Sequence, residues 1–142
     1  MTVVEKALQD AEFFSDDSTY VIVKLHPRAI TVAAGIIAEI GEPFSALIVD
    51  KDEVSIMIVE DAITDFSNRL KDAEVGEVKY RLITIDVELP LDLIGFMARV
   101  STALVDAGVS IMTYAAYTRD HFFVPVDQFD TALSTLRKLK SG

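Results

Sequence analysis

The sequence contains no cysteine among its 142 residues. This excludes disulfide bonds, thiolate catalysis and every zinc site built on cysteine ligands. It also agrees with a reducing compartment, where proteins do not depend on disulfides. The fold must therefore depend on the packing of its apolar residues, which make up 51% of the chain.

Basic residues are also few: 13 lysines and arginines stand against 23 aspartates and glutamates, giving a net charge of −10. A basic surface is the first requirement for binding phosphate backbones. The sequence therefore predicts that neither nucleic acid nor an anionic membrane surface is a partner.

Long apolar runs are missing as well. No stretch approaches the roughly 18 apolar residues expected of a spanning helix. Glu5, Asp10 and Glu12 interrupt the N-terminus, which is not the pattern of a secretory signal. We expect a globular protein located in the cytoplasm.

The usual catalytic constellations are not found. His26 and His121 each lie at a predicted strand end, and neither belongs to a nucleophile or metal motif. The acidic turn 50–53 contains Lys51 and lacks the glycine of a calcium loop. Asp120, in Thr-Arg-Asp-His, is interpreted as a turn residue whose side chain bonds its own backbone. The sequence predicts no enzyme, no metal site and no cofactor.

Hydrophobic periodicity predicts a helix, followed by two β-α-β-β-α repeats. The helix covers Val4 to Phe14. The first repeat consists of a strand at 20–27, a helix at 30–40 stopped by Gly41, two strands around the turn 50–53, and a helix capped by Asp61 with Ile63, Phe66 and Leu70 on its core side. The second repeat consists of a strand at 77–90, a helix from about 93 to 107, strands at 109–118 and 121–125, and a helix capped by Asp127.

The two repeats are about 65 residues apart and indicate an internal duplication. We predict an α+β protein of two ferredoxin-like units: an N-terminal helix at 1–17, a first unit at 18–76 and a second unit at 77–142. The second unit lacks a final strand, so strand 77–89 is a candidate to serve both units, which would interleave them.

The first helix of each repeat is apolar on nearly all sides. Polar positions are confined to Thr31 and Glu39 in helix 30–40, and to Arg99, Thr102 and Asp106 in helix 93–107. A helix of this kind needs cover on most sides. The pattern therefore predicts a homo-oligomer unless the two units cover these helices themselves.

The turn ELPLDLIGF, residues 88–96, supports two interpretations. Asp92 is a good helix N-cap. Gly95, however, would then lie in the first helical turn, where it costs about 1 kcal/mol relative to alanine. A close approach to its backbone would explain it. In that case Asp92 binds an α-ammonium group, and the amides of Ile94, Gly95 and Phe96 bind an α-carboxylate.

Two β-α-β-β-α units with Asp-Leu-Ile-Gly after the first strand of the second resemble paired ACT domains. Residues 80–139, with DVELPLDLIGFMARVSTALVDAGVSI and YTRDHFFVP, look most similar to small ACT-like proteins related to the CASTOR arginine sensors. The resemblance implies a ferredoxin-like fold, oligomerisation, amino-acid binding and no catalysis. Only Asp92 and Gly95 match the family motif. The first repeat has Ala29 and Val32 at the corresponding positions.

The predicted function is accordingly an amino-acid-binding regulatory or sensor protein. The alternative is an interaction module that oligomerises without a ligand. Arg28 and Ala29 favour the alternative for the first unit, whereas Asp92 and Gly95 favour ligand binding for the second.

Overall fold

A computed structural model describes residues 1–142 as an α+β fold of five helices and eight strands. In chain order these are α1 (Val3–Asp10), β1 (Glu12–Phe14), β2 (Tyr20–Leu25), α2 (Ile30–Ile40), β3 (Ala46–Val49), β4 (Val54–Val59), α3 (Asp61–Asp65), β5 (Glu74–Val75), β6 (Tyr80–Asp86), α4 (Phe96–Asp106), β7 (Met112–Ala115), β8 (Asp120–Pro125) and α5 (Phe129–Ser141).

The chain divides into two compact units. The central unit consists of residues 18–80, and the terminal unit consists of residues 1–17 together with residues 81–142. The unit boundaries predicted from the sequence, between residues 17 and 18 and between residues 76 and 77, remain a prediction. The structure adds that the N-terminal residues pack with the C-terminal half of the chain.

The central unit has a complete βαββαβ order. Its strands lie in the order β3-β4-β2-β5, with antiparallel pairing throughout. This is the ferredoxin-like arrangement, and it confirms the predicted fold class. Because side chains alternate along a strand, one face of β2 and β4 packs on α2, and the buried core consists of Val21, Val23, Leu25, Ala33, Ile36, Val54, Ile56, Ile58, Ala62 and Leu70.

The structure corrects two predictions in the central unit. The helix predicted to extend to Leu70 is only five residues long, with Glu60 rather than Asp61 at its N-cap. Leu70 is nevertheless buried, because the turns after α3 keep it on the core. Residues Glu74–Val75, where no strand was predicted, form β5, and its pairing with β2 supplies the fourth strand of the unit.

The terminal unit obtains its missing fourth strand from the N-terminus. The helix predicted to reach Phe14 ends at Asp10, and Glu12–Phe14 form β1. This strand pairs antiparallel with β6, with Phe13 opposite Ile85. The strand order is β1-β6-β8-β7. The helical spacing of Phe14 was misleading because pairing with the free edge of β6 overrides local periodicity.

Helices α1, α4 and α5 contribute to the core of the terminal unit. Their buried side chains pack with those of β6 and β8. The core residues include Leu8, Ala11, Ile83, Ile85, Phe96, Val100, Leu104, Phe122, Val124, Ala132 and Leu136. Lys140 at the end of α5 donates to the carbonyl oxygen of Ala11 and thereby fixes the end of α1 to α5.

Several predicted ends are shifted. Strand β6 ends at Asp86 instead of Pro90, and α4 begins at Phe96 instead of about residue 93. A 3-10 turn at Val126–Gln128 precedes α5, so Gln128 and not Asp127 occupies the N-cap. The segment between β6 and α4 is therefore a nine-residue connection, residues 87–95.

Apolar side chains remain exposed on the two helices predicted to need cover. In α2, Ile30 is 43% and Val32 38% exposed; in α4, Val105 is 65% exposed. None of the five helices combines the length and the apolar character required to cross a bilayer.

Candidate functional site

The connection from β6 to α4 folds back along the hairpin between β7 and β8. The amide of Leu89 donates to the carbonyl oxygen of Thr118 at 2.8 Å, and the amide of Leu93 donates to that of Pro90 at 3.1 Å. These two bonds hold the connection as a defined turn. It carries the chain directly to the first residue of α4.

The N-cap of α4 is Gly95, which provides no side chain for capping. Asp92 lies three residues earlier, is exposed, and makes no hydrogen bond to the helix. The interpretation of Asp92 as the N-cap is therefore wrong. The helix starts later than the apolar spacing suggested, because the left-handed turn at Gly95 must come first.

Gly95 adopts φ +89° and ψ −2°, the left-handed region. Residues with a Cβ are disfavoured there, so the backbone angle alone requires a glycine. A Cβ added at Gly95 would meet no atom within 4 Å. A close approach of another group is consequently not needed to explain a glycine at this position.

A cleft of about 260 Å³ lies between the connection and the hairpin. It is lined by every residue from 89 to 98 except Asp92 and Ile94, and by residues 115–120. The amides of Gly95 and Phe96 donate to no acceptor in the chain. Free amides at a helix start attract anions, so this end of the cleft can receive a carboxylate.

The four predicted site residues do not line the same cavity. Gly95 and Phe96 line the cleft, whereas Asp92 and Ile94 line a neighbouring hollow with Thr2–Val4. The side chain of Phe96 is buried in the core of the terminal unit. The side chain of Ile94 is 88% exposed.

Asp120 lines the cleft and is not the turn residue that was predicted from its sequence. It is the first residue of β8, paired with Ala115, and its carboxylate accepts no hydrogen bond in the chain. Burial raises its pKa, and the charge of His121 partly opposes this shift. Alternation in Asp-His-Phe-Phe-Val places it on the same face as Phe122 and Val124. That pattern could have identified it.

Arg119, the other charged residue of the lining, is already paired. Its Nε donates to Oδ1 of Asp86 at 2.7 Å, and its Nη1 donates to the hydroxyl of Thr118 at 2.9 Å. Asp120 is therefore the only unpaired charge among the residues that line the cleft.

His121 lies on the opposite face of β8. Its Nδ1 is 2.8 Å from the hydroxyl of Thr84, which is 7% exposed. Burial lowers the pKa of His121; the charge of Asp120 opposes this shift and that of Arg119 reinforces it. No group of three or more acidic or histidine side chains could hold a metal ion.

Residues 76–138, which include the connection, α4 and the hairpin, match the model of the ACT domain family. These residues form an ACT domain. The ACT domain so defined contains every residue of the cleft lining. No curated protein sequence matches the chain, and the predicted relation to the CASTOR arginine sensors remains a prediction.

Solved structures share the fold over nearly the whole chain. A protein of unknown function from Vibrio cholerae, described as a possible transport protein, aligns with a TM-score of 0.73 and 21% identity, covering 96% of this chain and 95% of that one. A protein from Agrobacterium tumefaciens aligns with a TM-score of 0.72 and 18% identity, covering 92% of this chain and 89% of that one. The regulatory subunit of aspartate kinase from Thermus flavus aligns with a TM-score of 0.66 and 16% identity, covering 89% of this chain and 95% of that one. At these identities the similarity establishes a shared fold, and neither a role nor a ligand.

Proposed function

We propose that this protein is a cytoplasmic regulatory module that binds an amino acid in the cleft of its ACT domain and has no catalytic activity. The observation that carries the proposal is the pair of free amides at Gly95 and Phe96, two residues that line a cleft with many apolar residues. Small-molecule sites commonly combine apolar walls with a few convergent polar groups. The α-carboxylate of the ligand would accept hydrogen bonds from these amides.

The predicted set Asp92, Ile94, Gly95 and Phe96 is retained as a proposal. Gly95 and Phe96 are the members that border the cleft. Asp92 lines two adjoining cavities, and it would reach an α-ammonium if the ligand extended over Pro90, which borders these cavities and the cleft. The regulated partner would be a separate protein, since aspartate kinase subunits of this fold are themselves described as regulatory.

Self-association belongs to the same proposal. Three large side chains beside the cleft are strongly exposed: Leu91 at 71%, Ile94 at 88% and Tyr117 at 80%. Exposed apolar groups clustered in this way are typical of an interaction surface. A second copy of the chain covering them would also enclose a bound ligand.

The experiment is a thermal-shift screen of the protein against the twenty standard amino acids. A ligand at 100 times its Kd adds about 2.7 kcal/mol to the free energy of unfolding. For each chiral amino acid that gives a thermal shift, the D-enantiomer serves as a matched control, because it keeps the charges and changes only their arrangement. No shift with any amino acid would contradict the sensor proposal.

A ligand-free interaction module is the second candidate. It is favoured by β3, an edge strand of the central unit on which Leu47, Ile48 and Val49 are 37%, 48% and 48% exposed. Unprotected apolar edges of this kind favour pairing with another strand. Sedimentation would support this candidate if the protein is an oligomer and the amino-acid screen is negative.

A further inference from the structure

We infer that the carboxylate of Asp120 binds the ammonium group of an amino acid whose side chain is apolar. The inference rests on the proposed function and goes beyond it by assigning the ammonium-binding residue and the class of ligand. It concerns the cleft between the β6–α4 connection and the β7–β8 hairpin.

The position of Asp120 is the first argument. It shares a face of β8 with Phe122 and Val124, whose side chains are completely buried, and it stands where that face opens into the cleft. Its carboxylate has no hydrogen bond and no ion pair within the chain. A partly buried carboxylate without a partner is unfavourable, and a cation placed beside it removes that penalty.

The charge of the other lining residues is the second argument. Arg119 is bound to Asp86 and Thr118, so it neither neutralises Asp120 nor offers a free cation to a ligand. Asp92, the acidic residue predicted from the motif, lies outside the cleft lining. Asp120 is consequently the one acidic residue in the lining of the cleft.

The side chains of the lining residues indicate the ligand class. Leu89, Leu93 and Met97 line one side, and Ala115 and Ala116 line the other. Lysine or arginine would bring a second cation into a cleft that has no second carboxylate. Aspartate or glutamate would bring an anion towards Asp120. Each would leave a charge unpaired in a partly desolvated site. This leaves amino acids with uncharged side chains, and among them the apolar lining residues favour an apolar side chain.

The volume of the cleft agrees with a ligand as small as a single amino acid. The cleft measures about 260 Å³, just below the range of about 300–1,000 Å³ found for drug-sized ligands. An ammonium at Asp120 and a carboxylate at the start of α4 would orient the ligand, and its side chain would contact the apolar walls.

The test is calorimetric titration of the whole protein with leucine, isoleucine, valine, methionine, phenylalanine, lysine and arginine. We expect binding by one or more of the five apolar amino acids and weaker or no binding by the two basic ones. Asp120→Asn should weaken leucine binding about tenfold or more, as expected when a charge-assisted hydrogen bond is lost. The charge-matched control is Asp106→Asn, at the exposed end of α4, which should bind leucine as the wild type does.

A ligand analogue keeps the result interpretable. The analogue 4-methylpentanoate has the side chain and carboxylate of leucine but no ammonium group. It should bind the wild type and Asp120→Asn equally weakly. If Asp120→Asn weakens the analogue as much as leucine, Asp120 acts on the fold and not on the ammonium group, and the inference is wrong.

Other outcomes separate the inference from the proposed function. Unchanged leucine affinity in Asp120→Asn, or a loss of affinity in Asp92→Asn alone, would overturn the inference and leave amino-acid binding intact. Tighter binding of lysine or arginine than of the apolar amino acids would overturn the ligand class. If no amino acid binds the wild type, the proposed function fails and the inference fails with it.

Discussion

Replacing Gly95 by alanine should destabilise the protein even when no ligand is present. Gly95 has φ +89°, and an L-residue in the left-handed region costs about 1–2 kcal/mol. Alanine recovers about 0.4–1 kcal/mol by restricting the unfolded chain. No steric term is added, because the new methyl meets no atom within 4 Å. We therefore expect a net loss of about 1 kcal/mol in the free energy of unfolding.

The assay is urea denaturation of a matched series of glycine variants. Gly35→Ala changes a glycine inside α2, where the nearest atom to the added Cβ is Nη1 of Arg69 at 3.9 Å. It should raise stability by up to about 1 kcal/mol, since alanine is the better helix former. Gly95→Asn should lose little, because asparagine tolerates the left-handed region and is a good N-cap.

The sign of the stability change in Gly95→Ala shows whether the backbone angle requires a glycine at this position. A loss of about 1 kcal/mol corresponds to a decrease in Tm of roughly 3–4 °C for a chain of this size. If Gly95→Ala raises stability as Gly35→Ala does, the left-handed conformation of Gly95 is wrong, and the start of α4 must be described differently. Equal losses in Gly95→Ala and Gly95→Asn would mean that added volume, and not the backbone angle, is responsible.

Three further predictions concern stability. Thr2→Ala removes a capping box in which the Thr2 hydroxyl accepts from the amide of Glu5, and it should cost about 1 kcal/mol by urea denaturation. Leu104→Ala should cost about 2–5 kcal/mol, because Leu104 is fully buried; a smaller loss would mean that the core of the terminal unit is loosely packed. The pKa of His121 is below its usual 6.5 in the folded protein, so the unfolded chain binds a proton first, and stability should fall as the pH falls through 6.5. His121→Gln should flatten this dependence, and an unaltered slope would contradict it.

Much of the fold could be predicted because, in most elements, the hydrophobic period agrees with the residues that begin and end the element. The apolar run 30–40 and its terminator Gly41 define α2 almost to the residue. The order of the repeats predicts the ferredoxin-like fold and leads to the ACT family. Phe14 shows where this reasoning fails. Its spacing from Ala11 continues a helix, but its partner is Thr84 on a strand far along the chain, and local periodicity carries no information about that partner.

The site could be predicted only in part. The motif led to the connection that borders the cleft, and Gly95 and Phe96 are in the lining. The motif also singled out Asp92, whereas Asp120 was interpreted as a turn residue and is found in the lining instead. Which carboxylate enters a cleft depends on how a turn and a hairpin approach each other in space. The sequence of either segment alone does not determine that.

The origin of β1 has a consequence for the connectivity of the chain. Because residues 1–17 complete the unit formed by residues 81–142, the central unit is an insertion within the terminal one. A circular permutant that begins at Ser18 and joins Gly142 to Met1 would carry each unit as an uninterrupted sequence. Lys140 binds the carbonyl oxygen of Ala11, so the new junction must span approximately the length of α1, about 12 Å at 1.5 Å per residue. About four extended linker residues cover that distance, and the two halves of the permutant could then be expressed as separate, contiguous domains.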